Sequence, residues 1–254
     1  MPDRPALARR LAAEGVGAFF LFATVIGSGI MAENLSRGSE AVALLANTLA
    51  TGAILFVLIT MLGPISGAHM NPAVTLGFVL ARRMPGGQAV GYIVAQVLGA
   101  LLASIIVRAW YQGHPTIGAN VAVGDGSLIW RPLIAEVVLT FILMFVILCV
   151  STGPKEKGIT AAIAVGGTIA LDALFGGPIS GASMNPARSI GPGVIATIWP
   201  AKNQLAEVAG VTLRTPLESL WVYLLGPIAG AALAVPFFKA VTGTTTAPAS
   251  EFSR

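Results

Sequence analysis

Apolar residues gather along the chain into six long runs, 11–32, 41–62, 89–110, 132–151, 159–175 and 217–241, separated by short polar stretches. A helix rises about 1.5 Å per residue and a bilayer core is about 30 Å thick, so a crossing needs about 20 residues. The pattern predicts six transmembrane helices. Gly and Ala recur inside the runs, as at Gly226 and Gly230, where small residues let helix backbones approach closely in lipid. Two shorter runs, 71–81 and 185–198, reach only about halfway across and predict half-helices that enter the membrane without crossing it. The first long run follows Arg9 and Arg10 with no convincing cleavage site, and reads as a span rather than a signal peptide. The Thr/Ala/Ser-rich segment 242–254 reads as a disordered tail.

Composition agrees. Of 254 residues, 55% are hydrophobic and 10% charged, against about 25% charged in a typical soluble domain. The net charge of +4 resides in residues between the apolar runs, so it predicts anchoring at a membrane surface and no nucleic-acid partner. The N-terminus, Arg82-Arg83, Lys155 with Lys157, and the C-terminus fall on one side. The positive-inside rule makes that side, with both termini, cytoplasmic. Sparse Lys and abundant Ala and Gly point to a bacterial inner membrane. The single cysteine, Cys149, lies within an apolar run and reads as a small core residue.

The two short runs repeat each other. Gly63-Pro-Ile-Ser-Gly-Ala-His-Met-Asn-Pro-Ala-Val-Thr-Leu-Gly77 aligns without gaps to Gly177-Pro-Ile-Ser-Gly-Ala-Ser-Met-Asn-Pro-Ala-Arg-Ser-Ile-Gly191, with 11 of 15 positions identical and a constant offset of 114. Ala13-Glu14 and Ala135-Glu136 form a weaker echo. The chain therefore reads as one channel domain over 1–254 made of two pseudo-repeats, about 9–115 and 128–240. Three spans separate the copies. An odd number of crossings puts them on opposite faces, so the repeat is inverted. Asn is a favoured N-cap and Pro a favoured first helical residue. Asn71-Pro72-Ala73 and Asn185-Pro186-Ala187 thus start two half-helices whose positive dipole ends meet near the midplane.

This doubled motif, followed in the second copy by Arg188, resembles the signature of the aquaporin, or major intrinsic protein, family over about 11–238. The resemblance implies an all-α membrane protein with six transmembrane helices, two re-entrant half-helices and one pore per subunit of a homotetramer. It implies that Glu14 and Glu136 hold the backbone of the entering loops, with Gln96 in a similar loop-supporting place; His69, just before the first motif, reads as loop-supporting or pore-flanking. It also implies a selectivity filter, counted from the motifs, of Thr51, Ala173, Ala182 and Arg188. Three of these are small where water-selective relatives carry an aromatic residue and a histidine. Ser189 stands where glycerol facilitators carry Asp. The run 177–188 is closest in style to nodulin-26-like channels. The expected function is passive passage of water and small neutral solutes, with metalloid hydroxides (arsenite, boric or silicic acid) or small polyols favoured. A water-selective channel and an ion-coupled transporter are the alternatives. Asp172, next to Ala173, faces either the mouth or a neighbouring helix. His69 and His114 have no partners at metal-ligand spacing. No nucleophile–base pair stands out, so neither a metal, another cofactor nor an enzymatic activity is expected.

Overall fold

The computed structural model describes residues 5–122, 129–151, 158–201 and 216–243. These form eight α-helices: α1 Leu7–Leu35, α2 Glu40–Ser66, α3 Pro72–Leu80, α4 Gly86–Trp110, α5 Trp130–Val150, α6 Ile159–Ser180, α7 Pro186–Ile198 and α8 Pro216–Thr242. Six are long and apolar enough to cross a membrane, and α3 and α7 are the two short helices. Large apolar side chains such as Val90, Leu98, Leu171 and Leu233 lie on the outside, as lipid demands. The Lys155–Lys157 loop and the tail from Thr244 on, both used above, lie outside the described residues.

Two boundaries differ from the hydrophobic pattern. The runs 41–62 and 159–175 stop short of Gly-Pro pairs that read as breakers, yet α2 and α6 continue through Pro64 and Pro178 to Ser66 and Ser180. Both helices stop at a glycine in the left-handed region, Gly67 at φ 92° and Gly181 at φ 80°, whose N–H bonds the carbonyl of Gly63 or Gly177. The extra turn matters, because it carries the serines that dock the loops.

The helices pack in matched pairs. α1 lies along α4 as α5 lies along α8, and α1 meets α2 as α5 meets α6. α7 packs on α4, and α3 on α8. α2 and α6 cross at Gly52 and Gly166, where a Cβ on either would fall 3.1 or 2.8 Å from the other's carbonyl oxygen. Gly99 and Gly230 make the same fit in α1·α4 and α5·α8, each with its would-be Cβ 2.3 Å from a backbone oxygen. Residues 52 and 166 differ by the same 114 as the motifs, so that offset holds from α2 and α6 into the half-helices.

Candidate functional site

Asn71 caps α3 and Asn185 caps α7, each at an extended φ near −150° with Pro as the next residue. Asn71 Oδ1 accepts from the N–H of Ala73 at 2.9 Å, and Asn185 Oδ1 from that of Ala187 at 3.1 Å. The two motifs meet. Asn71 Nδ2 donates to the Met184 carbonyl (2.8 Å) and Asn185 Nδ2 to the Met70 carbonyl (2.9 Å). A side-chain amide has two N–H donors, so each can offer its second to a molecule beside it. Both helix N-termini point here, and their dipoles disfavour a cation.

Each loop is held by one buried carboxylate. Glu14 accepts from Ser66 Oγ (2.7 Å), the N–H groups of His69 (2.9 Å) and Met70 (2.6 Å), and Gln96 Nε2 (2.7 Å). Glu136 accepts from Ser180 Oγ (2.8 Å) and the N–H groups of Ser183 (2.8 Å) and Met184 (2.7 Å). Tyr92 and Tyr223 complete the cradles by donating to the Ser66 and Ser180 carbonyls at 2.8 and 2.9 Å. A trans peptide sets C=O opposite N–H. Turning the N–H groups of His69, Met70, Ser183 and Met184 towards the carboxylates therefore turns the carbonyls of Ala68, His69, Ala182 and Ser183 the other way. Left-handed backbone at Ala68, Met70, Ala182 and Met184 (φ 42° to 52°) makes this shape.

A cavity of about 130 Å³ is lined by Val150, Ser151 and Ala161, at the end of the bundle where Arg83 bonds Ser151, and by Asn71 and Asn185. Its wall is mainly apolar, with Leu55, Leu143 and Val165 among its members, and His69 adds a polar edge. His69 Nδ1 lies 3.2 Å from Thr75 Oγ1, and its ring stacks on Phe78 at 4.5 Å between centroids.

Four residues of this wall are Ile59, Ala68, Val74 and Val165. Adding or subtracting the repeat offset of 114 turns them into Ala173, Ala182, Arg188 and Thr51. The inverted repeat thus maps the cavity wall onto all four residues that counting from the motifs singles out. Ala173 and Ala182 pack on the same core cluster. The Thr51 hydroxyl donates to the Asn47 carbonyl of its own helix at 2.8 Å, leaving only its oxygen lone pairs and methyl to face outward. Arg188 Nη1 donates to the Gly118 carbonyl (2.8 Å) and to Asn120 Oδ1. Asp172 maps onto Leu58, a core residue. It is buried, and its Oδ2 has no partner among the described residues, so it faces its neighbours in the bundle.

Sequence reasoning missed Ser66, Ser180, Tyr92, Tyr223 and Asn120. The serines were findable, since both fall in the matched fifteen-residue segments. The tyrosines lie in spans with no legible repeat, and Asn120 lies in a loop with no partner copy.

A family model described as "Major intrinsic protein" matches residues 2–238. The chain is 40% identical over 233 residues to Aquaporin NIP1-4 of Oryza sativa subsp. japonica, covering 91% of this chain and 76% of that protein. It is 35% identical over 247 residues to Nodulin-26 of Glycine max, covering 97% and 82%. In fold it is similar to the aquaglyceroporin from Plasmodium falciparum, with a TM-score of 0.75 at 23% identity over 94% of this chain and 98% of that one.

Proposed function

The chain belongs to the major intrinsic protein family, and from that premise we propose that it is a passive membrane channel with a wide filter formed by Thr51, Ala173, Ala182 and Arg188. The observation that carries this reading is the mapping of those four residues, through the repeat, onto the wall of the cavity that reaches the paired asparagines. Three of the four side chains are small, which leaves room for a solute larger than water. Arg188 supplies donors and a positive charge that repels cations. A solute then meets Asn71 and Asn185, whose amides donate, and the loop carbonyls, which accept. A neutral molecule with several hydroxyl groups can use both kinds of partner. A metalloid hydroxide or small polyol fits that chemistry, with water also passing.

The likeness to rice Aquaporin NIP1-4 supports a channel of the aquaporin type, while the solute class rests on the small filter residues. Coupling to an ion gradient would need an ionisable group at the meeting point of the half-helices. Neutral asparagines stand there, and Glu14 and Glu136 are engaged by loop donors. The protein works as a homotetramer with its termini in the cytoplasm, by family likeness and by the placement of Arg82 and Arg83. The Lys-poor composition supports a bacterial inner membrane, whereas the two relatives above are plant proteins.

The test is stopped-flow light scattering on proteoliposomes with water, glycerol, boric acid and arsenite. Entry of at least one solute well above empty liposomes is expected. Rapid water flux with no solute entry would leave the channel but refute the wide filter.

A further inference from the structure

The loop between α4 and α5 is built around buried polar contacts. Arg108, fully buried at the outer end of α4, donates through Nη1 and Nη2 to the carbonyls of His114 and Pro115. His114 in turn accepts the Ile117 N–H at Nδ1 (3.0 Å), while its Nε2 lies 2.9 Å from Glu33 at the end of α1. Ile117 is buried in the core. These anchors fix the next residues, Gly118 to Asn120, inside the bundle.

Asn120 is buried, and its amide touches three elements of the outer half-site. Its Oδ1 accepts from Arg188 Nη1 and from Ser189 Oγ (3.0 Å), and its Nδ2 donates to the Gly181 carbonyl at 3.3 Å. Gly181 leads directly into Ala182. A Cβ at Gly181 would lie 2.5 Å from Asn120 Nδ2, so the amide rests against the loop backbone itself. Ser189 lies 2.6 Å from Ser183, whose N–H is held by Glu136. One planar amide supplies an acceptor to the arginine and a donor to the loop carbonyl, a pairing that neither a carboxylate nor a hydrocarbon side chain of that size offers.

We propose that Asn120 is a positioning residue for solute selection: it holds the Arg188 guanidinium against the wall and sets its distance from Ala182. This rests on Arg188 and Ala182 forming the filter. Without Asn120, Arg188 keeps, among the described residues, the Gly118 carbonyl, and its freed N–H turns to acceptors in the lumen, narrowing the passage.

The experiment compares Asn120→Leu, Asn120→Asp and Arg188→Ala with the unmodified protein in proteoliposomes of matched protein content, reading the ratio of glycerol or boric acid permeability to water permeability. Asn120→Leu is expected to lower that ratio by about threefold or more, the scale of a neutral hydrogen bond at the low end of its range, since the arginine retains a second partner. Asn120→Asp, which keeps the acceptor for Arg188 and loses the donor to Gly181, is expected to stay within about twofold of the unmodified ratio. Arg188→Ala is expected to raise it. Where Leu impairs assembly, Asn120→Ala serves instead. An unchanged ratio in Asn120→Leu beside a shifted ratio in Arg188→Ala would overturn the role of Asn120 and leave the filter standing. So would an Asp variant as altered as the Leu variant, because that pattern belongs to loop docking alone. No shift in any variant would remove the filter reading, and this proposal with it.

Discussion

Replacing Glu136 or Glu14 by Gln should each markedly destabilise the protein. Each carboxyl group is buried, and among the described residues every hydrogen bond it makes is one it accepts. In Glu136→Gln the least costly orientation puts the new NH₂ at the Oε2 side. There it faces the Met184 N–H, so one charge-assisted bond is lost. The bonds from Ser180 and Ser183 remain but become neutral. A hydrogen bond to a charged group contributes about 1.5–3 kcal/mol and a neutral one about 0.5–1.5, so the total cost is about 3–5 kcal/mol. In Glu14→Gln the new NH₂ likewise meets the Met70 N–H, and the bond from Gln96 Nε2 to the same oxygen is lost as well. A flip of the Gln96 amide turns its unpartnered Oε1 to the new NH₂ and restores that second bond but gives up the one to Thr75 Oγ1, so the cost is similar to that at Glu136. Thermal denaturation in detergent, followed by size-exclusion of the surviving folded protein, should place both variants well below the unmodified protein. At roughly 2–4 °C per kcal/mol, each midpoint falls by about 10 °C. A Glu136→Gln midpoint equal to that of the unmodified protein would mean that the loop does not need both carboxyl oxygens as acceptors, and the reasoning would be wrong.

Thr51→Phe combined with Ala173→His should narrow the filter, and stopped-flow measurements should show glycerol or boric acid entry falling far more than water flux; unchanged solute entry would displace both residues from the filter. Tyr223→Phe and Tyr92→Phe each remove one hydroxyl that bonds a carbonyl ending α6 or α2, and each should cost about 1–3 kcal/mol by leaving a buried acceptor unpaired; equal midpoints for variant and unmodified protein would show the cradle does not depend on them.

Much of this was legible because the membrane restricts the choices. Six crossings follow from run length, and the two half-helices from runs too short to cross. Asn71-Pro72 and Asn185-Pro186 announced helix starts from local chemistry alone, and both asparagines cap helices at those positions. The ends of α2 and α6 were not legible, because a Gly-Pro pair reads as a stop. Here the final turn continues to a left-handed glycine beyond the proline. Asn120 was hidden for a different reason. Nothing in a loop sequence shows that it folds inward, and the anchor that draws it in, Arg108, sits at the end of an apolar span, where a basic residue looks like an interfacial anchor.

The four mismatches between the two matched segments locate the chemistry. The eleven identical positions build the scaffold: the docking serines, the left-handed glycines, the capping asparagines and the prolines that start the helices. Of the differing pairs, His69/Ser183, Val74/Arg188 and Thr75/Ser189 belong to the cavity wall or to the hydrogen-bond network behind it. Symmetry therefore forms the passage, and departures from symmetry make its halves unequal. Transferring one departure tests this. In Val74→Arg a guanidinium would enter the opposite half of the passage at the place equivalent to Arg188. The carbonyl of Gly118 and the amide of Asn120, which hold Arg188 to the wall, come from the α4–α5 loop at the other end of the bundle. An arginine at position 74 would lack that anchorage and would reach into a cavity of about 130 Å³ for acceptors. Water permeability should fall by roughly tenfold or more, on the argument that a buried cation takes whatever partners it can reach, while the protein still elutes as a folded species in detergent. Normal water flux through Val74→Arg would mean that position 74 does not face the passage, and the mapping of Arg188 onto it would fail with it.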